Sequence, residues 1–332
     1  MSLEINALDA IADKVLSYHP PVERHAIGMR NRAWRKNNDI PSWVNIEDVG
    51  LDQFFTRPAV AKDCFKSFVD YIKANDKIER YEFIEPAAGL GAFYDLLPRK
   101  KRTGIDVVRF RPEFIQKDFL SWFPIDDGRR NYVCIGNPPF GYRAWLALAF
   151  LNHAALFSDY VGFIIPMAFQ SEGKGNHRNR VKGLHLVHSS HLPHDSFVSL
   201  DGKIVKVNAL WQIWSRKGIE DKTIVKTCDQ FIDLFTVDNR KERRCGQERK
   251  GAADFFIQRT FYHEPPDLVT SFTEVKYVCG YGIIIKRDRE KVLQILRSTD
   301  WRKYSNLTAH NCRHISMCHI RKTLTDGGLV DV

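Results

Sequence analysis

Two spacings of apolar residues alternate through the middle of the chain. Short apolar runs bounded by Gly, Pro, Asn or Asp are followed by stretches whose apolar residues recur at helical steps. The runs at 82–85, 103–107, 132–136 and 160–165 predict strands, and 143–157 predicts a helix between the last two. Such alternation means a mostly parallel sheet covered by helices, an α/β Rossmann-like architecture. Upstream, Ser2 opens a helical pattern through Ile5, Leu8, Ile11, Ala12 and Val15 that His19-Pro20-Pro21 ends, and a basic, irregular stretch follows through Arg30, Arg32, Arg35 and Lys36. Thr56 reads as a helix N-cap, with Pro58 in the first turn and Ala61, Phe65 and Phe68 on the buried face.

Beyond Gly183 the pattern changes. Residues 196–200 and 203–215 flank Asp201-Gly202 and predict an antiparallel hairpin closing the sheet, packed by Trp211 and Trp214. Residues 171–180 and 239–251 are polar and read as loops, the second open to being a disordered insert. A strand at 277–286 and a helix at 289–297 predict a small C-terminal α+β region. The expected divisions are 1–50, 51–220 and 221–332.

Composition narrows the class. Of 332 residues, 44% are hydrophobic and 27% charged, which excludes a disordered or fibrous chain. Asn152 and His153 break the longest apolar stretch, so no membrane span is expected. Glu4, Asp9, Asp13 and Lys14 interrupt the N-terminal apolar pattern, unlike a signal peptide. Seven cysteines without a CxxC pair suit reduced thiols. An intracellular, cytoplasmic protein is expected. The net charge of +10 is lopsided: 171–332 holds 28 Lys and Arg against 19 Asp and Glu. A basic half points to an anionic macromolecule, most simply a nucleic acid, although a merely basic solvated surface fits too.

Two segments carry candidate chemistry. In 83–93, a strand runs into Glu85-Pro86-Ala87-Ala88-Gly89-Leu90-Gly91, a short helix to Leu97 is expected after the turn, and the next strand ends at Asp106. Glycines at the carboxyl end of a sheet let backbone approach a nucleotide, and a strand-end acid can accept from two ribose hydroxyls. Alone, Gly89-Leu90-Gly91 is equally a plain turn. The second segment is Asn137-Pro138-Pro139-Phe140, at the end of a later strand. Its prolines remove two backbone donors and fix φ, leaving carbonyls to face outward beside an amide oxygen and an aromatic ring. Two acceptors and a ring suit a planar amine.

With these segments in view, the chain resembles the adenine-specific DNA methyltransferases that use S-adenosylmethionine. Residues 85–93 match their glycine motif, Asn137-Pro138-Pro139-Phe140 their catalytic tetrad, Lys117-Asp118-Phe119-Leu120 an intervening segment, and Gln53-Phe54-Phe55-Thr56 their upstream motif. The order is that of the gamma group. Arg57 separates Thr56 from Pro58, where the family more often has Thr-Pro. The resemblance covers about half the chain, roughly 50–215, and implies a class I methyltransferase sheet. It implies that Glu85, Ala87, Gly89 and Gly91 form the cofactor loop, Asp106 holds the ribose, Asp118 and Phe119 contact the cofactor's adenine, and Phe55 and Thr56 approach its methionyl end. It further implies that Asn137 and the Pro138 carbonyl accept from the target amine, with Pro139 completing the turn and Phe140 stacking on a flipped base. Read without it, Asp118 is more simply a solvated acid and Phe119 a core aromatic.

The implied partner is DNA, most simply double-stranded, with residues 221–332 reading its sequence. RNA adenine is the nearest alternative, since the tetrad does not see the sugar. Glutamine methylation in a protein and an inactive DNA-binding module are further ones. No metal is expected: His310, Cys312, His314, Cys318 and His319 match no standard zinc spacing. His185, His188, His191 and His194 recur at a period that fits neither helix nor strand and predict an exposed, phosphate-facing segment. The basic run 240–250 reads as a solvated loop, with DNA backbone contact as the second reading. The oligomeric state, the recognition sequence and any companion restriction enzyme stay open.

Overall fold

The computed structural model describes residues 54–331 apart from 142–143, 171–175, 200–201, 218–225, 242–243 and 309–310. The expected N-terminal helix, the basic stretch after it and Gln53 lie outside the described residues. Those described fall in two compact units, one spanning residues up to Phe169 and His177–Glu220, the other taking Gln170–Asn176 and the residues from Asp221 on.

The first unit is built on β1 (Phe55–Thr56), β2 (Tyr81–Pro86), β3 (Arg102–Asp106), β4 (Ile115–Gln116), β5 (Asn131–Gly136), β6 (Ser158–Pro166), β7 (His185–His191), β8 (Phe197–Val198), β9 (Ile204–Val205) and β10 (Ala209–Ser215). Seven of these form one sheet in the order β4-β3-β2-β5-β6-β10-β7. All its pairings are parallel except those of β10, which runs antiparallel to both β6 and β7. The central strands are apolar on both faces, as strands covered on both sides must be. Helix α1 (Pro58–Asn75) lays Val60, Ala61, Cys64, Phe68 and Ile72 inward, and Phe68 meets the edge of Trp211. Helix α2 (Trp145–Ala154) is buried along nearly its whole length. This is an α/β Rossmann-like sheet. From β2 the chain passes to β3 on one side, while β5 pairs on the other, so the strand order reverses between β2 and β5. In open α/β sheets that reversal opens a crevice at the carboxyl ends of the strands.

Four local expectations need correction. Thr56 belongs to β1, and the α1 cap is Arg57, which makes no side-chain cap hydrogen bond; Pro58 itself starts the helix. The helix after the glycine turn shrinks to one 3₁₀ turn, Tyr94–Leu96. The hairpin expected over 196–215 divides in two. β8 and β9 form a small hairpin that pairs with β1, whereas β10 joins the main sheet. Finally, the histidine-rich segment is the edge strand β7. Ile213 faces His188 and Trp214 faces Leu186, so a bulge at Val187 shifts the side-chain phase. That slip accounts for the step from His185 to His188 only; His188 and His191 lie in unbroken register on opposite faces, and His194 follows the strand.

In the second unit β11 (Ile232–Asp238), β14 (Cys279–Ile285) and β12 (Phe255–Gln258) form one antiparallel sheet, and β13 (Thr260–Phe261), β16 (Arg313–His314) and β15 (Asn306–Leu307) another. Helices α3 (Arg289–Ser298) and α4 (Met317–Asp326) cover one side through Val292, Leu296, Ile320 and Leu324, in a core with Leu234, Ile257 and Ile283. Phe235, Val237, Phe256 and Phe272 pack together in a second cluster. The described part of 240–250 is no loose insert. Cys245 pairs with Asp238 through backbone hydrogen bonds, and Gly246 sits so close to Thr236 that a Cβ would lie 2.1 Å from its carbonyl oxygen. Arg240 pairs with Asp238 at 2.5 Å, and Arg249 pairs with Asp233 at 2.5 Å while lying over the Phe235 ring. Lys250 sits over Phe272.

Among the described residues no three His, Cys, Asp or Glu side chains group as a metal site. His314 lies 3.6 Å from Cys312, and His319 closes the N-terminal box of α4 with Ser316. No helix of the described residues is long and apolar enough to cross a membrane.

Candidate active site

Strand β2 delivers Glu85 and then turns through Ala87, Gly89 and Gly91, each with positive φ. The amide of Gly89 donates to Asp106 Oδ2 at 2.8 Å, and that of Val108 donates to Oδ1 at 2.9 Å. Asp106, at the end of β3, is thereby fixed beneath the turn. Gly91 has a different duty. The Arg111 guanidinium packs on its Cα, so a Cβ would lie 2.7 Å from Arg111 Cζ. Arg111 in turn holds Asp95 at 2.6 and 2.7 Å and donates to the Leu90 carbonyl at 2.5 Å, bracing the loop from behind.

Strand β5 delivers the second loop. Asn137 Nδ2 donates to the Phe54 carbonyl at 2.9 Å. A carbonyl can only accept, so the amide's NH₂ must face Phe54 and its oxygen must point away. Asn137 Oδ1 is buried and has no hydrogen-bond partner in the structure. Phe140 is half-buried, its ring edge-on to that of Phe197 at 6.4 Å, and Phe197 lies tilted against Phe54 at 6.3 Å.

These pieces border one cavity. Its lining comprises Phe54, Phe55 and Thr56, the turn residues Glu85, Ala87, Ala88, Gly89 and Leu90, Asp106 with Val107, and Asn137, Pro138, Pro139 and Phe140. Two further lining atoms share the condition of Asn137 Oδ1: Thr56 Oγ1 and Glu85 Oε2 are buried without a partner. Burial pushes the Glu85 carboxyl well above the usual carboxylate range, against the pull of the Tyr94 and Phe93 amides and Arg111. Burial also pushes Asp106 up to about 6, although the amides of Val108 and Gly89 favour its ionised form. Buried polar atoms are nearly always satisfied, so three orphans around one cavity mark a place shaped for a polar ligand.

Of the residues singled out in sequence, Phe55, Thr56, Glu85, Ala87, Gly89, Asp106, Asn137, Pro138, Pro139 and Phe140 converge here. Gly91 supports the loop without lining the cavity. Asp118 and Phe119 do not line it either. Phe119, only 2% exposed, packs among Phe150, His153 and Phe157, and Asp118 caps the following turn by accepting from the Leu120 amide at 2.9 Å. Sequence reasoning missed the Phe54 carbonyl, Val107 and Phe110, whose ring meets Phe55 edge-on at 5.7 Å. The upstream aromatic pair was the signal for the first, and Phe110 had none.

A scan of protein-family models gives no match, and a sequence search among curated proteins gives none. Solved structures do align. One is a candidate RNA methyltransferase from Pyrococcus horikoshii, at 19% identity over 50% of this chain and 87% of that one, with a TM-score of 0.35. A second is the magnesium protoporphyrin IX methyltransferase of Synechocystis with bound S-adenosylmethionine, at 13% identity over 63% and 97%, with a TM-score of 0.35. A third is a SAM-dependent methyltransferase from Anabaena variabilis, at 12% identity over 50% and 97%, with a TM-score of 0.29. At such identities and scores the assignment of the fold rests on the strand order itself, an α/β Rossmann-like sheet with its crevice between β2 and β5.

Proposed function

We propose that this chain is an S-adenosylmethionine-dependent methyltransferase acting on the exocyclic amine of adenine in DNA. One observation carries the reading: the buried, unpartnered side-chain oxygen of Asn137, a residue lining the cavity whose NH₂ is held by the Phe54 carbonyl. An acceptor held there needs a donor from the ligand, and an amine supplies one.

The cofactor site fits its ligand by the same reasoning. Glu85 and Thr56 offer buried polar atoms without partners, and the Asp106 carboxylate, accepting from the Gly89, Val108 and Val107 amides, keeps acceptor capacity that suits ribose hydroxyls. When bound, S-adenosylmethionine supplies a methyl group activated on a sulfonium. The chain's own residues do the rest. Asn137 Oδ1 and the Pro138 carbonyl accept the two amine hydrogens, which draws the nitrogen toward a tetrahedral shape and localises its lone pair. Phe140 presents a face to the base. Positioning of this kind contributes up to about 7–11 kcal/mol in favourable cases. In duplex DNA the base must first leave the stack, which costs a few kcal/mol. Residues 221–332 supply the DNA contacts in this reading, since they lie outside the catalytic motifs and in the basic half.

The test is tritiated methyl transfer to DNA, RNA and protein pools, followed by hydrolysis and identification of the labelled product. N6-methyladenine from DNA is expected. Label in RNA adenine would move the substrate to the other polynucleotide, label in glutamine would move it to protein, and no transfer to any amine would end the reading.

A further inference from the structure

The amine acceptor owes its orientation to a strand seam that continues beyond the cavity. Phe54, whose carbonyl turns the Asn137 amide, directly precedes β1, and β1 is only two residues long. It pairs with β8 in the register Phe55 to Val198 and Thr56 to Phe197. β8 in turn pairs with β9 over two residues. A two-stranded hairpin that short is marginal in water, so the seam with β1 decides whether it stays in place. At the end of the seam stands Arg57. Its amide donates to the Ser196 carbonyl at 3.0 Å, and its guanidinium donates to the Asp195 carbonyl at 3.0 Å and pairs with the Asp195 carboxylate. Two elements 138 residues apart are thus gripped by one side chain.

The seam also reaches the second half of the tetrad. Phe197, fully buried, sits edge-on to Phe140 and against Phe54. Loosening β8 from β1 would therefore release both the Phe54 carbonyl that aims Asn137 and the ring that borders Phe140. The Arg57 and Asp195 side chains are 38% and 50% exposed. At that exposure an ion pair adds little to global stability. Neither residue lines the cavity, and neither is placed to touch the cofactor loop at Gly89 or Asp106.

We infer that Arg57 and Asp195 form a clasp whose purpose is positional: by holding β8 on β1 it keeps the Asn137 amide oxygen and the Phe140 ring in register for the acceptor amine. The inference rests on the methyltransferase reading above. Arg57 and Asp195 are positioning residues, acting through Phe54 and Phe197.

The experiment compares Arg57→Ala, Asp195→Asn, the charge-exchanged pair Arg57→Asp with Asp195→Arg, and Asn137→Ala. Each full-length chain is measured for S-adenosylmethionine affinity by calorimetry and for single-turnover tritium transfer to the acceptor pool that the wild type labels. Arg57→Ala and Asp195→Asn should each slow transfer by about tenfold or more, equivalent to about 1.4 kcal/mol or more in the barrier. Cofactor affinity should fall by much less than the rate, because β1 itself carries Phe55 and Thr56 while Gly89 and Asp106 lie off the seam, and the exchanged pair should recover part of the rate. Transfer at the wild-type rate in both single variants, with Asn137→Ala inactive, would overturn the clasp and leave the amine-acceptor reading intact. Undiminished transfer by Asn137→Ala would overturn that reading itself. A loss of cofactor affinity as large as the loss of rate would make the pair a general support of the fold and would also overturn the clasp. Asp195→Asn guards against misfolding, since it keeps the side-chain shape and leaves the Asp195 carbonyl in place.

Discussion

The cavity between β2 and β5 and the arm that follows β11 treat polar groups in opposite ways. Around the cavity, Thr56, Glu85 and Asn137 each keep a buried atom without a partner. On the arm, Arg240 and Arg249 are committed to Asp238 and Asp233, and Lys250 lies over Phe272. Desolvating a polar group without a partner is costly, and where orphans cluster at a cavity a ligand can complete them, unlike scattered ones such as Tyr160 Oη and Gln212 Oε1. Satisfied cations have no such need. A basic stretch that reads as a nucleic-acid contact in sequence can therefore be spent on its own fold, whereas a modest Asn-Pro-Pro turn can hold the unmet demand.

The sharpest way to break this contrast is at Asn137. Asn137→Ala should lower methyl transfer by about 10²–10³-fold, the usual loss when one acceptor or donor aimed at a transition state is removed. Cofactor affinity should hold, as calorimetry would show. Equal losses in both would mean that Asn137 Oδ1 serves the cofactor.

Asp106 comes next. Asp106→Ala should weaken S-adenosylmethionine binding by about 1.5–3 kcal/mol, the scale of hydrogen bonds to a charged group. Its raised pKa adds a pH signature with two opposite signs. In the free protein the folded state holds the Asp106 proton more tightly than the unfolded state, whose carboxyl titrates near 3.8. Its contribution to stability is therefore fully present below that value and is lost as pH rises through about 6. Cofactor binding, which needs the carboxylate as acceptor, should instead weaken as pH falls through about 6. Asp106→Asn should remove both dependences in thermal unfolding and in calorimetry.

The arm supplies the smaller effects. Gly246 has φ +67° and no room for a Cβ beside the Thr236 carbonyl, so Gly246→Ala should destabilise the second unit by about 1–3 kcal/mol in urea unfolding. A loose insert would tolerate it. Smallest of all, Arg249→Gln should change stability by less than about 1 kcal/mol, because its pair with Asp233 is over a third exposed. It should also change the salt slope of DNA binding by much less than the roughly 0.9 that one phosphate contact contributes. Among the described residues of this arm, exposed Lys241 and Arg244 are the ones that should give a full increment.

Much of the sheet was legible because its strands are apolar runs between glycine and proline punctuation. The tetrad was legible because Asn137, Pro138, Pro139 and Phe140 are contiguous and chemically unusual together. What escaped was non-local. The three-residue histidine spacing hid an edge strand: a bulge at Val187 separates His185 from His188, while His188 and His191 fall on opposite faces. The hairpin over 196–215 carried a true turn signal at Asp201-Gly202, but its second half was claimed by β6 and β7, a tertiary preference no local pattern reveals. Thr56 has the composition of a cap, yet pairing with Phe197 draws it into a strand. Phe119 joined a motif by sequence and the core by geometry.

The seam between β1 and β8 also orders events in time. Asn137 takes its orientation from a carbonyl 83 residues earlier, and the strand that steadies that carbonyl comes after β7 in the chain. Closing so long a loop is entropically unfavourable until the sheet between its ends exists, and contacts of that separation form late. On a ribosome the β2 turn and Asp106 would be complete long before Val198 emerged. On the proposed reading, refolding from urea should then recover S-adenosylmethionine binding ahead of methyl transfer, so that the nascent chain is loaded before it is armed.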